Sequence, residues 1–235
     1  MTPAGDARSQ ILRAIREHLT RSARGPEPRA AGPGSAVGLT SSADPGAMRR
    51  GSKQRGDVVR SFTDQLAAVG AQCTVVRGES EAAGALAGIL SGAGARRVVG
   101  SDAPLVQRLL RPLRDRFEIA ALERLSRDDL FACDAGVTTA QWGIAETGTL
   151  VLESARELSR LLSLVPPIHV ALLSARCICD SLGEALARVR QPGGAVDSHV
   201  ITFITGPSRT SDIELTLVMG VHGPQTVHVL LMEET

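Results

Sequence analysis

Two loops of this chain concentrate the residue types that hold small anions. The first is Glu146-Thr147-Gly148-Thr149, which follows Thr138, Thr139, Gln141 and Trp142 and runs straight into Leu150-Val151-Leu152-Glu153. A carboxylate beside two small hydroxyls and a glycine, held between two strands, can line a cleft with backbone N–H groups turned to a ligand. The same spacing also suits a plain β-hairpin turn with Glu146 solvated. The second loop is Gly206-Pro207-Ser208-Arg209-Thr210-Ser211-Asp212, delivered by the apolar run from Val200 to Ile204. Hydroxyl donors and a forked guanidinium behind a Gly-Pro turn match a phosphate or a carboxylate. Asp212 can hold Arg209 in place or cap a following helix, and Ser208 or Ser211 suits such a cap equally well. The expected ligand-binding set is therefore Thr147, Gly148, Thr149, Gly206, Ser208, Arg209, Thr210 and Asp212. They form one site only if the sheet brings the two strand ends together.

Acid–base work needs a titratable group beside that set. Glu146 is one candidate, and His222, in the turn Gly220-Val221-His222-Gly223-Pro224, is the other. A loop histidine of ordinary pKa near 6.5 can shuttle a proton or orient an anion, or simply sit in a surface turn. His169 lies inside an apolar strand and reads as a core residue. Other chemistries find no support. Gly100-Ser101-Asp102 follows Val98-Val99 as in a first Rossmann strand, yet no G-x-G-x-x-G is present. The only lysine is Lys53, outside any phosphate-binding loop, and Ser154 and Ser174 lack the G-x-S-x-G elbow of serine hydrolases. Cys177-Ile178-Cys179 has no second pair or neighbouring His, so no metal site is expected; Cys73 and Cys133 suit small core positions.

The elements that must position these loops are legible in the apolar pattern. Ile11, Leu12, Ile15 and Leu19 fall on one face of a short helix within residues 1–22. Residues 23–56 are rich in Pro, Gly, Ser and Arg and cannot bury enough surface to offset their ordering entropy, which predicts a disordered linker. A globular domain is expected over 57–235. Its helices are expected around Val58–Val69, Ala82–Leu90, Pro104–Leu113 and Ser181–Arg190, the last with a capping box of Ser181 and Glu184. Short, mostly apolar strands alternate with them at Cys73–Val76, Val98–Gly100, Ile168–Leu173 and Val227–Met232. Further strands are expected at Ala135–Trp142, Thr149–Leu152 and Val200–Thr205. That alternation predicts an α/β fold: a parallel-rich sheet with helices on both faces, the chain ending on the sheet itself. Composition narrows the function. The 26 basic residues balance 25 acidic ones, which leaves no field to attract nucleic acid or an anionic membrane. One Trp and no Tyr exclude a base-stacking platform. No apolar run reaches the roughly 20 residues of a membrane helix, and Met1–Gln10 lacks the pattern of a secretory signal, so a cytoplasmic protein is expected.

Four stretches, in order and spacing, resemble a known family. They are Ala145-Glu146-Thr147-Gly148-Thr149-Leu150-Val151-Leu152, Leu161 through His169 with its Pro166-Pro167, Gly206 through Glu214, and Gly220-Val221-His222-Gly223-Pro224. Together they resemble the LUD domain of lactate-utilisation proteins, in particular the stand-alone C subunit (LutC, or YkgG-like), from about Asp57 to the C-terminus. The resemblance implies a fold like that of ribose-5-phosphate isomerase, glucosamine-6-phosphate deaminase and the CoA transferases (NagB/RpiA/CoA-transferase-like). It implies a subunit of a system oxidising L-lactate to pyruvate. Iron–sulfur clusters would then reside in oxidoreductase-type partner subunits, with no cofactor in this chain. Enzymes of the wider fold use a Glu in a comparable glycine-flanked loop, which draws attention to Glu146 by analogy. The alternatives are a self-contained enzyme on a sugar phosphate, CoA ester or folate, and a non-catalytic scaffold docking an iron–sulfur partner.

Overall fold

The computed structural model of the chain describes residues 54–122, 125–154, 160–189, 200–211, 217–219 and 223–233. The expected N-terminal helix, the linker as far as residue 53, and the sites at Asp212 and His222 lie outside the described residues. The described residues fall within one compact unit, Gly51–Thr235.

Helix α1 (Arg55–Ala68) starts two residues before the expected domain boundary and buries Phe62 and Leu66. It leads into strand β1 (Gln72–Arg77), helix α2 (Gly78–Gly92), strand β2 (Arg97–Gly100) and helix α3 (Pro104–Leu110), which continues as a 3-10 turn to Leu113. The proline at the first position of α3 needs no N–H partner, which favours a helix start there. Next come β3 (Glu118–Ala120) and helix α4 (Arg127–Phe131), capped by Ser126. After them the chain forms β4 (Ala135–Thr139), β5 (Trp142–Ile144), β6 (Thr149–Glu153), β7 (Ile168–Ser174), β8 (Ile178–Cys179) and helix α5 (Leu182–Val189). Strands β9 (Ile201–Ile204), β10 (Arg209–Ser211), β11 (Leu217–Met219) and β12 (Thr226–Glu233) complete the described elements.

The main sheet has six strands in the order β1-β12-β7-β4-β2-β3, and every pairing in it is parallel. Alternation along β7 sorts its side chains onto two faces. Ile168, Val170 and Leu172 join α2 and α3 in one core, with Leu86, Leu90 and Leu110 fully buried. Ala171 and Leu173 face a second core with Phe62 and Leu66 of α1. Each such side chain contributes roughly 1.5–3 kcal/mol by leaving water. The sheet is thus parallel-rich and covered by helices on both faces, as the alternation of elements predicts.

The second half departs from the simplest reading. Strands β5, β6 and β9 do not extend the main sheet; with β8 they form a separate four-stranded sheet in the order β8-β5-β6-β9. It shares with α1 the coverage of the second face, through Leu150, Leu152 and Ile178, and carries α5 on its own outer side through Ala185. The stretch expected as one strand, Ala135–Trp142, is cut in two where the backbone changes partner. The Ala140 N–H still donates to Leu172 O of the main sheet, whereas the Gln141 N–H donates to Val151 O of the second. Residues 209–211 extend as β10, paired antiparallel with β11, and start no helix there. At α5 the Ser181 hydroxyl accepts from Glu184 N–H, while the Glu184 carboxylate reaches back to Asp180 N–H at 2.8 Å.

Candidate functional site

The two loops singled out by chemistry do meet. Leu150 of β6 pairs with Ile204 of β9, so Thr149 and Thr205 stand one step further along the same ladder. Their hydroxyls share a hydrogen bond of 2.8 Å, and Thr149 shares another of 2.7 Å with Thr147. A chain of three hydroxyls therefore ties the first loop to the residue preceding Gly206. Thr149 is buried, while Glu146 and Thr147 are exposed in the hairpin turn between β5 and β6.

What the loops meet around is the last turn of α1. A Cβ on Gly148, whose φ is +63°, would lie 2.5 Å from Leu66 N and 2.6 Å from Gln65 C. A Cβ on Gly206 would lie 2.5 Å from Val69 O. Both glycines let backbone press on backbone. The Arg209 guanidinium donates through Nη2 to Val69 O at 2.7 Å, satisfying a carbonyl that the helix end leaves without an intrahelical donor. A cation is favoured there, at the negative end of the helix dipole. Ser208 N–H donates to Pro224 O at 2.8 Å, which brings the second loop to the Gly223-Pro224 turn. A hollow of about 190 Å³ lies at this junction, lined among others by Leu164, Thr205, Gly206, Ser208, Gly223 and Pro224. Three of the four stretches that carry the family resemblance thus contribute to one place, the side on which β7 and β12 begin. The side chain of Thr210 lies outside the description, as do Asp212 and His222.

A larger cleft, of about 560 Å³, opens at the opposite edge, where the parallel strands end. From β2 the chain passes to β3 on one side, and from β4 it goes on to β7 on the other. Such a reversal between neighbouring strands leaves a crevice beyond their carboxyl ends, the usual ligand position in open α/β sheets. Asp102 follows β2, Thr139 ends β4, and Gln141, Trp142 and Glu153 come from the open end of the β5–β6 hairpin. Glu153 is only 2% exposed. The Trp142 indole N–H donates to its Oε1 at 3.0 Å, and its backbone N–H donates to Gln141 Oε1 at 2.7 Å. Gln141 in turn donates from Nε2 to Thr139 Oγ1 at 3.1 Å. Arg188 stacks on the indole with Cζ 5.1 Å from the ring centre. Beside the cleft, Ser101 is fully buried with no hydrogen-bond partner for its Oγ.

Sequence reading passed over this second constellation as a site. Its signals were present, namely polar residues directly after two apolar strands and a Glu closing a third. Nothing local shows that the three converge. Elsewhere, burial holds the His169 imidazole down to about 4, and its Nε2 shares a 2.9 Å hydrogen bond with Thr138. Burial likewise pushes the Cys73 and Cys179 thiols up to about 11, so neither is an activated nucleophile. Among the described residues, no group of three or more His, Cys, Asp and Glu side chains is placed to hold a metal ion.

The chain is similar to known proteins in sequence and in fold. Residues 59–232 match the LUD domain family. The chain is 37% identical over 101 residues to lactate utilization protein C of Bacillus licheniformis, covering 42% of each protein. It is 33% identical over 182 residues to lactate utilization protein C of Deinococcus radiodurans, covering 76% of this chain and 81% of that one. Against the first curated relatives it matches, the chain spans about two fifths of their length, 41% to 43%. A crystal structure of a DUF162 family protein from Deinococcus radiodurans superposes with a TM-score of 0.60 at 25% identity, covering 77% of this chain and 99% of that one.

Proposed function

The chain belongs to the LUD domain family, and from that premise we propose that it serves lactate utilisation, as a subunit of a system that oxidises L-lactate to pyruvate. The observation that carries this reading is the match over residues 59–232, together with relatives that bear the name lactate utilization protein C. The redox chemistry belongs to oxidoreductase-type partner subunits with iron–sulfur clusters. This chain binds a small carboxylate, or a phosphate-bearing relative of one, on the outer face of the two joined loops. Exposed Arg209 and Thr147 supply donors, aided by Thr149 and Ser208 beside Gly148 and Gly206, and Thr210 and Asp212 complete the expected set. Glu146 and His222 move the proton.

The genetic test is growth. Removing the chain from its host should abolish growth on L-lactate while sparing growth on pyruvate; equal growth on both substrates refutes the role. The ligand test is calorimetric. Replacing Arg209 with Ala should weaken binding of L-lactate by about tenfold or more, the effect of losing a charge-assisted hydrogen bond. A variant that melts earlier yet binds L-lactate with unchanged affinity would show that Arg209 caps α1 and nothing else.

A further inference from the structure

We infer that the hollow beside the two joined loops receives the hydrocarbon end of the ligand, so that the acids this chain binds best are aliphatic 2-hydroxy carboxylates with longer side chains than L-lactate. The inference rests on the reading of those loops as a carboxylate site and adds what lies behind the anion. Leu164, Phe203, Ile204, Pro224 and Val227 give the hollow hydrocarbon walls, and among the described residues no charged side chain lines it. A carboxylate buried against such walls would lack a partner, which is costly. The anion therefore belongs at Arg209, which directly follows Ser208 of the lining and is exposed. A guanidinium carries five N–H donors, and the 2.7 Å bond to Val69 O occupies one nitrogen of the fork. A ligand that uses both features keeps its charged head at the loop and turns its side chain inward.

Size and exposure point the same way. The hollow measures about 190 Å³, more than the roughly 150 Å³ of apolar cavity that holds a benzene ring. L-lactate offers it a single methyl group and leaves most of that space unused, whereas a side chain of about three carbons still fits. Leu164 is 39% exposed and Phe203 is 42% exposed, two large apolar side chains open to solvent at this one place. Apolar surface left exposed around a concavity is the mark of a binding site, and an alkyl chain would cover it. Thr205 and Ser208 bring hydroxyls to the same lining, where the 2-hydroxyl of the acid can share a hydrogen bond while its carboxylate stays at Arg209.

The probes are L-lactate, L-2-hydroxybutyrate and L-2-hydroxypentanoate, titrated calorimetrically into the full-length protein. They share one head group and lengthen by a methylene at each step. Full burial of a methylene tightens binding about fourfold, and a partly open hollow should give about threefold, so the series should gain about tenfold from first to last. L164N places a polar group in the wall at an exposed position and should cut that gain to about threefold or less. F203S does the same from β9, also at an exposed position, and either variant decides the matter if the other fails to fold. Equal affinities across the series, or a gain that a folded wall variant leaves untouched, overturns the inference. R209A separates the two claims, since it should weaken all three acids alike and preserve the gain with chain length. Binding that is weakened by R209A yet indifferent to chain length overturns this inference and leaves the carboxylate site standing. Absence of binding by all three acids refutes the carboxylate site, and this inference falls with it.

Discussion

Adding one methyl group at Gly148 should cost this protein more than adding one at any open glycine of similar backbone conformation. Two terms combine at this position. At φ +63° an L side chain is in the left-handed region, which costs roughly 1–2 kcal/mol for alanine. The new Cβ would also stand 2.5 Å from Leu66 N and 2.6 Å from Gln65 C, both backbone atoms of α1 that cannot swing aside. Overpacking of this kind typically costs a further 1–3 kcal/mol or so. Gly94 supplies the control, since its φ is +68° and nothing lies within 4 Å of its added Cβ. G94A should therefore lose about 1–2 kcal/mol, and G148A roughly 2–5 kcal/mol. Urea unfolding of the two variants beside the parent measures the difference as a midpoint shift at constant slope. If G148A is no less stable than G94A, the turn does not press on α1 as described, and the case for a structural duty of this glycine collapses.

Three hydroxyls link the loops, and T149V removes the middle one while keeping its volume. The loss should be about 1 kcal/mol, because exposed Thr147 and Thr205 can turn to water; in a double-mutant cycle with T205V, additivity would show that the 2.8 Å bond contributes nothing. Acid should weaken the fold through His169, whose folded value of about 4 lies below the ordinary 6.5. Neutral in the fold and readily protonated when unfolded, it contributes stability in full above pH 6.5. That contribution is lost as the pH falls toward 4, by roughly 3 kcal/mol in all. Urea midpoints taken between pH 7 and 4.5 should fall more steeply in the parent than in H169Q, and parallel curves would refute this assignment. Buried His228, its pKa also lowered by burial, adds loss of the same sign.

Much of this protein is legible in its residues taken in order. The mostly apolar strands Val98–Gly100, Ile168–Leu173 and Val227–Met232 announce a sheet buried on both faces, because side chains excluded from water on each side read that way. The helices at α1, α2, α3 and α5 follow from apolar spacing, and α5 also from its capping Ser181. The four motif stretches were sufficient for the LUD resemblance, which the match over 59–232 bears out. Local pattern stops where partners are chosen. Short β-rich runs such as Thr149–Leu152 carry no mark of which sheet will receive them, and the break at Ala140-Gln141 depends on carbonyls at Leu172 and Val151. The same limit governs the sites. Arg209 offers a fork that suits an anion, yet the carbonyl it meets belongs to Val69, 140 positions away. Asp102, Trp142 and Glu153 are unremarkable one by one and become a cleft only because β2, β4 and the β5–β6 hairpin end at one edge. Residue chemistry decides what a side chain can do; the long-range pairing of strands decides what it is given to do it to.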